Sequence, residues 1–114
     1  MRPKINPLKL NPLQCRTLVL LQVLAKSPET ARIDEKSGEA TIGSFPKPHG
    51  NHFHLGSYAV MARDASGLAN EGVWKALERK GLARCTYPLA ITLTVAGRSY
   101  DTGIAEQILH RADH

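Results

Sequence analysis

The first strongly apolar stretch of the chain opens at Asn11-Pro12. Asn11 is suited to cap a helix, Pro12 to occupy its first turn, and Gln14 stands where a capping-box partner belongs. Leu13, Cys15, Leu18, Val19, Leu20, Leu21, Val23 and Leu24 point in every direction around that helix. It runs to about Lys26, where Ser27-Pro28 stops it. A helix that is apolar all round is buried on most sides, and one of those sides is a candidate contact for a partner subunit.

The pattern then changes period. Ala31-Arg32-Ile33-Asp34 and Ala40-Thr41-Ile42-Gly43 alternate apolar and polar around Lys36-Ser37-Gly38, which predicts a β-hairpin. Phe45 to Asn51 is rich in chain breakers and reads as a loop. His52-Phe53-His54-Leu55 predicts one more short strand. Gly56-Ser57 precedes a second expected helix, with Ser57 as its cap and Tyr58, Met61, Ala62 and Ala65 on one face. Ser66-Gly67 ends it. A third helix is expected from about Asn70 to Lys80, with Val73, Trp74 and Leu77 inward and Gly81 as the C-terminal stop. Trp74, beside Val73 and Leu77, reads as a packing residue.

Leu82-Ala83-Arg84-Cys85 and Ala90-Ile91-Thr92-Leu93 read as two strands around the turn Thr86-Tyr87-Pro88, and Thr94 can cap a closing helical turn. A last amphipathic helix is expected over 103–112, with Ile104, Ala105, Ile108, Leu109 and Ala112 on one arc. The whole is a single α+β domain, 1–114, with a basic arm at 1–10 (Arg2, Lys4, Lys9) that reads as a loose terminus.

Composition narrows the function classes. Apolar residues make up 42% and charged residues 22% of the 114, which is ordinary globular usage and excludes a disordered tail. No apolar run approaches the roughly 20 residues that cross a bilayer, and residues 1–11 do not read as a secretory leader. A cytoplasmic location without membrane association is therefore expected. Cys15 and Cys85, far apart and in no metal-like spacing, read as free thiols. The formal charge of +5 favours polyanionic partners, nucleic acid first.

The order helix, helix, tight turn, helix, strand, turn, strand is that of a winged helix. Ala76-Leu77-Glu78-Arg79-Lys80-Gly81-Leu82 resembles the end of the recognition helix in MarR-like winged helix-turn-helix proteins of bacteria. Ile91-Thr92-Leu93-Thr94-Val95-Ala96-Gly97-Arg98 is similar to their second wing strand and closing turn, and Ser66-Gly67-Leu68 to the turn between their second and third helices. The resemblance covers about residues 58–103 and implies a winged helix-turn-helix with a β-hairpin insertion, 30–57, between its first two helices. It also implies a regulator of transcription that binds double-stranded DNA. The helix at about 70–80 would enter the major groove, and the first and last helices would join a homodimer.

Asn70, Lys75, Arg79 and Arg84 are the candidate DNA contacts. The three cations suit phosphates or guanine edges, and Asn70 suits adenine. Glu71 and Glu78 on the same helix would repel phosphate. The wing turn carries no charge at its tip, and the 30–57 insertion is much longer than the single strand usual there. Both features fit the alternative of a winged-helix module that binds protein through 30–57. His49, His52 and His54 are the one metal-like cluster, but with no cysteine or carboxylate nearby in sequence they read as a polar loop and an edge strand. No metal, cofactor or catalytic residue is assigned: no nucleophile elbow, phosphate-cradling glycine loop or paired carboxylates are recognisable, so the chain does not read as an enzyme.

Overall fold

A capping box launches the first helix of the computed structural model, which describes residues 6–47, 50–55 and 58–111. Asn11 Oδ1 accepts from the Gln14 amide at 2.8 Å, and Gln14 Oε1 accepts from the Asn11 amide at 3.0 Å. The helix, α1 (Pro12–Ala25), has Cys15, Thr17, Leu18, Val19, Leu20, Leu21, Leu24 and Ala25 buried, so it is enclosed as its all-round apolar sequence requires. Of its aliphatic residues only Leu13 and Val23 are half-exposed.

Two antiparallel sheets flank it. The hairpin β1 (Ala31–Ile33) and β2 (Ala40–Ile42) forms where the alternation predicts it, with Ala40 and Ile42 fully buried. The strands β5 (Ala83–Thr86) and β6 (Ala90–Leu93) form the second hairpin, and β6 also pairs with β2, giving the order β1-β2-β6-β5. The second sheet holds β3 (His52–Leu55), β4 (Tyr58–Met61) and β7 (His110–Arg111), with β4 in the centre.

Three expectations are corrected here. Tyr58–Met61 is a strand, not the start of a helix, because it pairs in register with β3, from His52↔Met61 to Leu55↔Tyr58. That pairing puts Val60 in the core and satisfies a row of backbone groups. The helical spacing of Tyr58, Met61, Ala62 and Ala65 is real but spans two elements. The proposed cap, Ser57, lies outside the described residues. Residues Ala62–Ala69 follow as a 3₁₀ helix. Its tight winding brings Gly67 against α1, where a Cβ would stand 1.7 Å from Thr17 Oγ1.

The last helix is likewise shorter than expected. Only α4 (Ala105–Ile108) is helical, and His110–Arg111 extends to pair with the free edge of β4. Ile108 is buried, and Ile104 and Leu109 pack on the core, so this arc is largely spent on its own domain. Finally, the N-terminal segment is tied down where it is described. Tyr100 Oη accepts from the Leu8 amide and donates to Asn6 Oδ1, and the Asn6 amide donates to Asp101 O. Arg2 and Lys4 of the proposed arm lie outside the described residues.

The helix α2 (Glu71–Arg79) forms as predicted, with Val73, Trp74, Ala76 and Leu77 buried. Trp74 packs edge-on to Tyr87 (centroids 4.8 Å apart) and tilted against Phe45 (5.5 Å), so it belongs to the core. Gly81 ends the helix at φ +77°, the left-handed turn that glycine adopts without strain. Leu82 turns back into the core. The short helix α3 (Val95–Ser99), capped by Thr94 Oγ1, packs so closely on this junction that a Cβ on Gly97 would lie 2.0 Å from Leu82 O. Gln22 Nε2 on α1 donates to Gly97 O and Tyr100 O and locks α3 to the central helix.

The two glycine contacts make a direct test of this packing. Gly67→Ala and Gly97→Ala should each destabilise by about 2 kcal/mol or more, as overpacked sites do. Removing the opposing hydroxyl in the double variant Thr17→Ala/Gly67→Ala should recover part of the loss relative to Gly67→Ala. Denaturant unfolding curves check this; single variants within about 0.5 kcal/mol of the parent, the range of a neutral surface change, would contradict the described approach of the 3₁₀ helix and α3.

Candidate nucleic-acid interface

The outward face of α2 is exposed at Glu71, Gly72, Lys75, Glu78 and Arg79. It is positioned by the opposite face, whose Trp74 and Leu77 are anchored in the core. Four residues carry the sequence expectation of DNA contact, and the fold gives them different surroundings.

Asn70 is the N-cap of α2: its Oδ1 accepts from the Val73 amide at 3.3 Å. Its carbonyl oxygen is therefore spent on an otherwise unpaired helix donor. Lys75 sits one turn beyond Glu71, with Nζ 3.8 Å from the carboxylate and both side chains more than half exposed. Such an (i, i+4) pair contributes only a few tenths of a kcal/mol and opens easily. Arg79 is exposed and forms no ion pair among the described residues. Lys75 and Arg79 are thus the two cations that the fold brings together on one face with freedom to turn outward.

Arg84 is held differently. It lies on β5 across from Thr92, and both of its terminal nitrogens donate to Glu39 at 2.6 Å, a fork-to-fork pair spanning the sheet. The guanidinium holds the Glu39 carboxyl below its ordinary value, and the carboxylate raises Arg84 in return. Nearby, Asp34 accepts from the amides of Lys36 and Ser37 in the β1–β2 turn, and those bonds lower its carboxyl as well. Glu39 was not singled out from the sequence; nothing local marks it, because its partner is 45 residues away.

Glu78, the second acid on α2, reaches the β5 strand. Its Oε2 accepts from the Cys85 amide and its Oε1 from the Cys85 thiol, both at 3.4 Å. Partial burial and then this carboxylate raise the Cys85 thiol, while burial raises Cys15. Both cysteines are free, and neither is poised as a thiolate nucleophile. At the far end of α2, Lys80 Nζ donates to Leu8 O, so this cation is partly committed to the N-terminal segment. Leu89, at the tip of the β5–β6 turn, is 72% exposed.

His52 and His54 lie on β3, while His49 is outside the described residues. Among the described residues no three His, Cys, Asp or Glu side chains gather as a metal site, and no helix is long and apolar enough to cross a membrane. No protein-family model, curated protein or solved structure matches the chain.

The two depressed carboxyls fix a sign for pH dependence. A carboxyl whose folded pKa is lowered stabilises above its unfolded value, near 4 for Asp and Glu, and loses that contribution as pH falls through the folded value. Amide exchange in the β1–β2 turn, corrected for intrinsic rates, should therefore become less protected below about pH 4, with Glu39→Gln showing much of the change already at neutral pH. Protection that is constant from pH 6 to pH 3 would contradict the Glu39–Arg84 and Asp34 arrangements.

Proposed function

We propose that this chain is a winged-helix DNA-binding protein that presents α2 to the major groove, with Lys75 and Arg79 as its principal contacts. The observation that carries the reading is the strand order β1-β2-β6-β5. In a winged helix the strand between the first two helices pairs with the second wing strand, which pairs in turn with the first. Here β2, after α1, pairs with β6, and β6 pairs with β5, which follows α2. On this assignment the 3₁₀ helix Ala62–Ala69 stands where the second helix belongs, and β3 and β4 are an additional hairpin inserted before it. The formal charge of +5 supplies the long-range attraction, and a role in transcription regulation is the natural use of such a module.

The interface is narrower than the full set of four candidates. Asn70 serves as a cap and Arg84 is neutralised by Glu39, so the reading rests on Lys75 and Arg79. A second reading has its own observation. Acids punctuate the cationic face, and an exposed leucine tips the wing, which suits a protein partner better than phosphate. In that case the contact surface includes Leu89 and the 30–57 segment.

Fluorescence anisotropy with mixed-sequence duplex DNA separates the two. The DNA reading predicts micromolar or tighter binding that weakens steeply with salt. Lys75→Ala and Arg79→Ala should each weaken binding and lower the salt slope by about one. Arg84→Ala should change affinity little, and Glu39→Gln, which frees Arg84, should tighten binding. Unchanged affinity in both Lys75→Ala and Arg79→Ala would remove the recognition-helix model, and absence of binding at low salt would favour the protein-contact reading.

A further inference from the structure

The larger sheet ends in two edge strands, β5 and β1, and they are protected differently. Alternation in an antiparallel pair turns the backbone groups of every second residue outward. On β5 the outward Cys85 amide is taken by Glu78 Oε2. On β1, Thr30 O accepts from the Gly43 amide and the Asp34 amide donates to Glu39 O, so residues 30, 32 and 34 face β2 while Ala31 and Ile33 turn outward. The Ala31 amide donates to Ser27 O. The Ile33 N–H and C=O and the Ala31 C=O have no strand beside them among the described residues. Such an edge is a template for another strand. An open groove of about 720 Å³, lined by residues 28–34 with Thr41, Gly43 and Ser44, borders it.

The side chains of this edge complement themselves. Ile33 stands opposite the buried Ala40, and Ala31 opposite the buried Ile42, so both lie on the core side of the sheet. Ile33 is nevertheless 40% exposed, because the apolar layer stops here. Arg32 and Asp34 lie on the outer side, both are exposed, and neither forms an ion pair among the described residues. Asp34 has a like charge, Glu39, across from it on β2 and no cation on its other side. A second β1, antiparallel with Ile33 opposite Ile33, answers each of these features. The two isoleucines exchange a pair of backbone bonds and meet on the core side. Arg32 of each copy then faces Asp34 of the other in a non-hydrogen-bonded pair, where side chains come closest. Shifting the register so that Arg32 faces Arg32 opposes like charges and meets the occupied Ala31 amide.

We infer that β1 is a homodimerisation edge, through which two copies of this chain join their four-stranded sheets into one continuous antiparallel sheet, Ile33 against Ile33 and Arg32 against Asp34. The occupant is a second copy because the charges of the edge pair with themselves about a two-fold axis, as an isologous contact requires. The contact is small, so the association is weak and reversible. The inference is independent of DNA binding.

Sedimentation equilibrium of the full chain up to about 1 mM, which detects association as weak as a millimolar Kd, tests it, with circular dichroism confirming the fold of each variant. A monomer–dimer equilibrium is expected. Ile33→Pro removes an outward N–H that β2 does not use, and Arg32→Asp sets a carboxylate opposite Asp34 of the second copy. Each should weaken association by about tenfold or more, whereas Leu89→Ser at the exposed wing tip should leave it unchanged. A chain that stays monomeric at about 1 mM overturns the inference. So does a dimer that persists unchanged in either variant once folded, or one that is lost in Leu89→Ser, because the contact would then lie elsewhere.

Discussion

A helix with no polar side must be surrounded, and α1 imposes that requirement on the rest of the chain. Leu18, Leu20 and Leu21 are fully enclosed although they point in different directions from the helix axis. One sheet alone could not cover them. The β1-β2-β6-β5 sheet, the 3₁₀ helix, α2 and α3 all pack on this central element, as does part of the smaller sheet. Each full burial of a leucine is worth about 2 kcal/mol, so enclosing α1 is a large favourable term and dictates where the other elements stand. The close approaches at Gly67 and Gly97 follow from it: a side chain at either position would hold its element away from the core.

The candidate interface inherits its shape from this packing. α2 is fixed by Trp74 and Leu77 on its inner face, and a fixed inner face determines which residues point outward. Lys75 and Arg79 are one turn apart on that outer side. The same packing brings Glu39, the residue before β2, within reach of Arg84 on β5, so an apparent cation of the interface becomes half of a sheet-spanning pair. What remains is a small, mixed-charge face on which Arg79 forms no ion pair among the described residues.

Much of the architecture was legible locally. Asn11 with Gln14 marked the start of α1, Asn70 and Gly81 bracketed α2, period-two alternation marked the β1–β2 hairpin, and the turn Thr86-Tyr87-Pro88 separated the β5 and β6 strands. The stretch from 58 to 69 was misread because Tyr58, Met61, Ala62 and Ala65 satisfy helical spacing by coincidence, while the pairing that decides the matter, β4 with β3 and β7, depends partly on residues some 50 positions away. The C-terminal segment failed for the same reason: its apolar arc is real, but the open edge of β4 drew His110–Arg111 into a strand. Within the candidate site, exposure of Lys75 and Arg79 was readable from amphipathicity. The commitment of Asn70 to capping was readable in principle, since capping residues are a known class. The Arg84–Glu39 pair was not, because register across three strands creates it.

On the proposed function, the outer face of α2 is where this protein meets its partner, and that partner is duplex DNA. Amide chemical-shift mapping on titration with a short duplex addresses both halves at once. DNA binding through α2 predicts salt-sensitive shifts concentrated at Glu71, Gly72, Lys75, Glu78 and Arg79, with the β3–β4 hairpin and the β1–β2 turn largely unmoved. Shifts confined to 30–57 or to the β5–β6 tip, or no shifts at low salt, would contradict it.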